Sequence, residues 1–224
     1  MGNLGRFWFG WALVGLFALH AQAAEFHYCQ SIEKLPIQDL FTSKVPSYPP
    51  DYQTDAHDSD DGDWLINAPI AEVWQFYMHT SMKAVWTSKK IQYGFSVGPD
   101  RLAVIDESAW PGLEVGTRFF MDIFAEPTGW LCKMGFGIEI TEIQPEKLIK
   151  YEYLDFSPAY GEQWLTFAEV GPRQTRVHFQ TRYLGKDSVI DMRYMSYHRE
   201  AISSFQNSVK QFIESKSGRT STLD

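Results

Sequence analysis

The chain has 224 residues, 44% of them apolar and 21% charged, with a formal net charge of −8. That length and apolar share allow one domain with a sizeable core and short extensions at its ends. An acidic chain without a basic stripe argues against nucleic acid as a partner and against electrostatic docking on anionic lipid.

The N-terminus comes first in chain order. Met1 to Arg6 is short and carries one positive charge, residues 7–21 are almost wholly apolar, and Ala21-Gln22-Ala23 follows. These are the three parts of a secretory signal peptide, residues 1–23, and they predict export to the periplasm or the medium. The apolar run is shorter than the roughly 20 residues that span a bilayer, so no transmembrane segment is expected after cleavage; the alternative is an uncleaved anchor. Residues 1–23 hold one basic residue, Arg6, and no acidic one, so cleavage takes the net charge from −8 to −9. The two cysteines, Cys29 and Cys132, can pair in an oxidising compartment and staple the N-terminal extension to the domain. The alternative is two separate thiols, with Cys132 a small buried apolar residue.

Residues 24–62 do not read as core. Pro36, Pro46, Pro49 and Pro50 precede an acidic run of Asp55, Asp58, Asp60, Asp61 and Asp63, and proline with clustered like charge favours an extended, solvated segment. Asp58 to Asp63 is not a calcium loop, because its glycine falls one place early and no glutamate stands at the twelfth position. The domain is expected over 63–218, with a frayed tail at 219–224.

Within it, Trp64-Leu65-Ile66 is β-prone and Pro69 fits a helix start. Ile70, Val73, Trp74 and Tyr77 then follow helical spacing. A second short helix is expected over 81–87. Phe119, Met121, Ile123 and Ala125 alternate with Arg118, Asp122 and Glu126. Trp130, Cys132, Met134, Phe136, Ile138 and Ile140 alternate with Gly135 and Gly137 among others. Such period-two patterns are strands with one face covered. A turn at Gln144–Lys147 leads to Ile149, Tyr151 and Tyr153 on one face. Strands over 162–170 and 175–184 follow. A long helix is expected from Ile190 to about Ser215, with Tyr194, Ala201, Phe205, Val209 and Phe212 at helical spacing. The order gives an α+β fold: a curved antiparallel sheet wrapped around a long C-terminal helix, with two short helices after the first strand. The aromatic content, 8 Trp, 11 Tyr and 16 Phe, fits either strands that favour aromatics or a cavity walled by them.

Three stretches carry a resemblance to a known family. Ile66-Asn67-Ala68-Pro69-Ile70-Ala71-Glu72-Val73-Trp74, with Trp86 a dozen residues on, resembles the first strand and first helix of the START-related superfamily, also called SRPBCC. Gly116-Thr117-Arg118-Phe119 resembles that family's entry into a central strand, and Ile143-Gln144-Pro145-Glu146-Lys147-Leu148-Ile149 its proline-bearing hairpin. The terminal amphipathic helix matches too, and the likeness covers about 63–216. It implies a helix-grip fold, seven antiparallel strands around the C-terminal helix, enclosing a hydrophobic tunnel. Members bind lipids, sterols, polyketides or plant hormones, and some are cyclases or hydrolases.

The expected partner is therefore an apolar small molecule held between sheet and helix, with Trp86, Phe119, Met121, Trp130, Met134, Phe136, Tyr151, Tyr153, Met195 and Phe205 as its candidate contacts. The tyrosines offer an apolar body and a polar tip to orient a ligand atom. No hydrolase nucleophile, cofactor or metal site is expected, and His-Glu-x-x-His and Cys-x-x-Cys spacings do not occur. His198, beside Tyr197 and one turn after Tyr194, is a weak acid–base candidate; its plain reading is a surface or helix-packing histidine. Three functions stay open: a carrier of an apolar ligand, an acid–base enzyme on the same scaffold, and an interaction domain of the cell envelope.

Overall fold

A computed structural model describes residues 30–49, 52, 58–85, 90–101, 103–124, 132–186 and 188–220, without the side chains of residues 58, 82, 188–195 and 217–220. After a short 3₁₀ turn at Ile32–Lys34 come α1 (Ile37–Thr42), β1 (Asp58–Ile66), α2 (Ile70–His79), α3 (Met82–Val85) and β2 (Ile91–Val97). The chain continues through β3 (Arg118–Phe124), β4 (Lys133–Gln144), β5 (Leu148–Tyr153), β6 (Ala159–Gly171) and β7 (Gln174–Gly185) to α4 (Ser188–Thr220). The strands form one antiparallel sheet in the order β1-β7-β6-β5-β4-β3-β2. The long helix packs against β1, β7 and β3.

Alternation decides which side chains face the helix. Phe119, Met121 and Ile123 of β3, the even-numbered apolar residues 134–140 of β4, and Ile149, Tyr151 and Tyr153 of β5 all point into the main core. They meet Val73, Trp74 and Tyr77 from α2 and Ala201, Ile202, Phe205, Val209 and Ile213 from α4. The β4–β5 turn falls where the proline places it, and Glu146 takes a left-handed conformation there, with φ 57°.

The N-terminal segment departs from expectation in two ways. The first strand begins at Asp58, ahead of the domain start expected at 63, because the acidic residues alternate in register with β7: Asp60 opposes Thr181 and Asp61 opposes Gln180. Residues 30–49, expected to be solvated, form a second layer on the convex face of the sheet. Ile32 and Leu40 bury themselves with Val97, Phe120 and Leu154, and Leu35, Phe41, Val45, Phe95 and Phe156 pack around them. This explains Phe120, which lies on the side of β3 away from the main core. The layer comes so close that the Gly135 amide donates to the Gln30 carbonyl at 2.8 Å. A Cβ at Gly135 would meet that oxygen and Ile32.

Polar groups fix the same layer. Ser31 Oγ and the Ile32 amide donate to the buried Asp122 carboxylate at 2.6 and 2.8 Å. Buried Arg118 donates from Nε to Glu139 Oε2 at 2.7 Å and from Nη1 to the Phe41 carbonyl at 3.2 Å. Cys132 stands in a disulfide; Cys29, the other cysteine of the sequence, lies outside the described residues, as does the expected signal segment. Among the described residues no helix is long and apolar enough to cross a membrane.

Candidate functional site

Of the expected ligand contacts, Phe119, Met121, Met134, Phe136, Tyr151, Tyr153 and Phe205 are buried together between sheet and helix. Trp86 and Trp130 lie outside the described residues, and so does the side chain of Met195. Two voids of about 20 Å³ each open among the described side chains. The first is walled by Tyr77, Leu113, Phe119, Ile140, Tyr151 and Phe205 among others. The second is walled by Met121, Phe136, Tyr153, Gln163, His198 and Ile202 among others. Each has room for about one water. Ile138 lines both.

Polar side chains enter this interior along one line. On the concave face, Tyr151, Gln163, Thr181 and Asp60 stand side by side across β5, β6, β7 and β1. Asp60, Gln163 and His198 are 6%, 3% and 3% exposed, so each must find partners inside the protein. Gln163 Nε2 donates to the Tyr153 hydroxyl at 2.6 Å and lies 2.7 Å from His198 Nε2. With the amide so oriented, His198 Nε2 accepts and the ring proton sits on Nδ1. That nitrogen faces Asp60 Oδ2 at 3.7 Å, too long for a hydrogen bond and within ion-pair reach. Arg199, on the outer side of α4, donates from Nε and Nη2 to Asp60 Oδ1 at 3.1 and 3.0 Å.

Local geometry explains each position. Tyr153 reaches Gln163 because its ring lies over Gly161, where a Cβ would fall on the ring itself. The His198 ring is held between Phe179 and Tyr183 of β7, with centroids 5.7 and 6.5 Å away. Burial lowers the pKa of His198 and keeps it neutral. The facing imidazole, ahead of Arg199, holds the Asp60 carboxyl below its usual range.

The first void has its own polar pair. The Tyr77 hydroxyl donates to Gln206 Oε1 at 2.5 Å, while the buried Tyr151 hydroxyl has no hydrogen-bond partner among the described residues. Burial pushes the pKa of both tyrosines up, so they remain neutral donors.

His198 is thus the expected acid–base candidate found in a buried site. Asp60, Gln163 and Gln206 are additions. Asp60 was hidden in the acidic run, yet a signal was present: it keeps the parity of Trp64 and Ile66, the core-facing residues of β1. Gln163 offered a similar signal, lying between Gly161 and Leu165 on the inward parity of β6.

The expectation of no hydrolase nucleophile meets one Gly-x-Ser-x-Gly spacing, Gly94-Phe95-Ser96-Val97-Gly98. Its setting is not the strand-to-helix elbow that such a nucleophile needs, because Ser96 lies within β2. It is fully buried and bonded to Tyr93 and Glu107, and the same carboxylate receives hydroxyls from Tyr93 and Ser81. This cluster ties the loop after β2 to the turn between α2 and α3, and Leu113 from that loop lines the first void.

A larger space, about 370 Å³, lies on the convex face between the N-terminal layer and β2. Its buried charge, Asp122, is already bound by Ser31 and Ile32, and a further space of about 160 Å³ on that face is lined by Leu35, Gly135, Phe156 and Lys186 among others.

The fold is a helix grip, with seven antiparallel strands curved around a C-terminal helix and two short helices after the first strand, as the resemblance to the START/SRPBCC superfamily implies. Solved structures that share it include a point mutant of norcoclaurine synthase from Thalictrum flavum bound to a transition-state analogue. It is 9% identical over 72% of this chain and 97% of that one, with a TM-score of 0.53. The ZhuI aromatase/cyclase from Streptomyces sp. R1128 is 10% identical over 70% and 94%, also at 0.53. The KanY protein is 14% identical over 71% and 99%, at 0.51. At such identities the likeness is one of fold. No protein-family model and no curated protein matches the sequence.

Proposed function

We propose that this is an exported protein that binds an apolar small molecule, a lipid, polyketide or aromatic compound, between the sheet and α4. The observation that carries the reading is the interior itself: aromatic, Met and aliphatic walls from β3, β4, β5, α2 and α4, with a few polar atoms, those of Tyr153, Gln163 and His198 at one void and of Tyr77, Tyr151 and Gln206 at the other. Ligand sites are built this way, with a mostly apolar lining and a few placed polar groups that fix orientation. A ligand larger than water must join the two voids, and displacement of Ile138 does so. Met121 and Met134 are flexible enough to repack around it. The solved relatives of this fold include a synthase and a cyclase, which favours a ligand with aromatic or polyketide character. Export is supported by the apolar run at 7–21 and Ala21-Gln22-Ala23.

The test is uptake of fluorescent fatty-acid and polycyclic probes by the purified mature protein, with mass spectrometry of any retained ligand. Micromolar uptake is expected. Phe136→Asp is expected to abolish it, since an unpaired charge would have to be desolvated in the apolar wall. Failure of the wild-type protein to take up any of a broad probe set overturns the reading.

A further inference from the structure

We propose that the line Asp60–His198–Gln163–Tyr153 is an acid–base centre, and that the molecule it acts on is an apolar ketone bearing a C–H next to its carbonyl. The inference rests on the ligand-binding reading above and adds a reaction to it.

The geometry assigns the roles. Tyr153, Gln163 and His198 all line the second void. The Tyr153 hydroxyl and His198 Nε2 face one another across the Gln163 amide, at 2.6 and 2.7 Å from its nitrogen. A ligand carbonyl entering in place of that amide meets a hydroxyl able to donate on one side and a basic nitrogen on the other. The base is oriented from behind. Nδ1 of His198 faces the Asp60 carboxylate at 3.7 Å, and Arg199 clamps that carboxylate from outside. Phe179 and Tyr183 fix the plane of the ring. A site with a base, an orienting carboxylate and an opposed hydrogen-bond donor is arranged for proton transfer.

The step balances without a further reactant. His198 Nε2 takes a proton from the carbon beside the carbonyl, the C–H electron pair moves into a new C=C bond, and the carbonyl π pair moves to oxygen. The enolate oxygen accepts a hydrogen bond from Tyr153. The imidazolium so formed keeps Nδ1–H toward Asp60, whose charge stabilises it. Return of a proton from Nε2 restores the ketone. Run in deuterium oxide, the imidazolium Nε2–H exchanges with solvent before a deuteron is returned to carbon, so the cycle replaces that hydrogen by deuterium. Asp60 is a positioning residue in this scheme, since it acts through His198.

The experiment uses the mature chain and β-tetralone, an apolar bicyclic ketone. Binding is followed by quenching of tryptophan fluorescence, and exchange next to the carbonyl by proton NMR in deuterium oxide against a protein-free control. The wild-type protein is expected to bind the ketone and accelerate its exchange. His198→Gln and Tyr153→Phe, each checked for an unchanged circular-dichroism spectrum, are expected to lose about 10²-fold of that acceleration, the usual contribution of a positioned acid or base. Asp60→Asn is expected to move the acid limb of the exchange–pH profile to lower pH, because imidazolium loses its counter-charge; a merely structural role leaves the limb in place. Tyr153→Phe preserves the ring over Gly161, so it tests the hydroxyl even if the His198 variant fails to fold. Binding without accelerated exchange overturns the acid–base centre and leaves the carrier reading standing. Exchange that survives in folded His198→Gln and Tyr153→Phe also overturns it. Absence of binding to β-tetralone and to the fluorescent probes alike overturns both.

Discussion

Nδ1 of His198 and Oδ2 of Asp60 meet at 3.7 Å across the seam between α4 and β1, so the seating of the helix is tied to the proton state of a buried pair. Burial holds the pKa of His198 below its unfolded value of about 6.5. The unfolded chain therefore binds a proton that the native chain refuses, and stability falls as pH drops below about 6.5. Asp60, with its carboxyl held low by the facing imidazole and Arg199, adds a second loss below its unfolded value of about 3.9. Thermal midpoints measured across this range are expected to decline in that order. His198→Gln should flatten the upper part of the decline and leave the lower part. A midpoint constant from pH 7 to pH 5 in the wild-type protein contradicts this account.

The bridge at Cys132 is expected to pair with Cys29 and so to close a loop of about a hundred residues. Loop entropy sets its stabilisation at up to about 5 kcal/mol. Thiol titration in denaturant should find no free thiol in protein taken from its native compartment, and two after reduction. Reduction should shift the urea midpoint downward.

The convex layer should behave as core. Ile32 is buried and packs beside Gly135. Ile32→Ala is expected to cost about 2–5 kcal/mol, in the range of buried large-to-small changes. Gly135→Ala is expected to cost about 1–3 kcal/mol through overpacking against the Gln30 carbonyl. Urea titration reads both. Values near zero would return residues 30–49 to the status of a solvated extension.

Export makes a separate claim. N-terminal sequencing of protein recovered from the cell envelope or medium should begin at Ala24, following Ala21-Gln22-Ala23. An intact Met1 would identify the apolar run as a retained anchor.

Much of the sheet was legible because period-two alternation is a local property. The inward residues of β3, β4, β5 and β7 could be assigned one strand at a time, as could the helical face running through Ala201, Phe205 and Val209. β2 was not read, because its pattern is broken by a register shift between Tyr93 and Phe95 and by the small residues Gly94 and Ser96. The convex layer was not legible either. Prolines and scattered apolar residues do not announce what they pack against, and the glycines that make room for them, Gly94 and Gly135, lie about 60 and 100 residues away.

The candidate site divides in the same way. Short-range spacing in the sequence determined that several antiparallel strands precede one long terminal helix, and it determined the facing of Tyr151, Tyr153 and Phe205; the helix grip itself came from the family resemblance. Only the tertiary structure decided that Asp60, Gln163 and Tyr153 converge on His198. They come from β1, β6 and β5, and strand pairing sets their register. Whether these side chains meet the imidazole depends on atoms brought together over separations of 35 to 138 residues, and no local pattern records that.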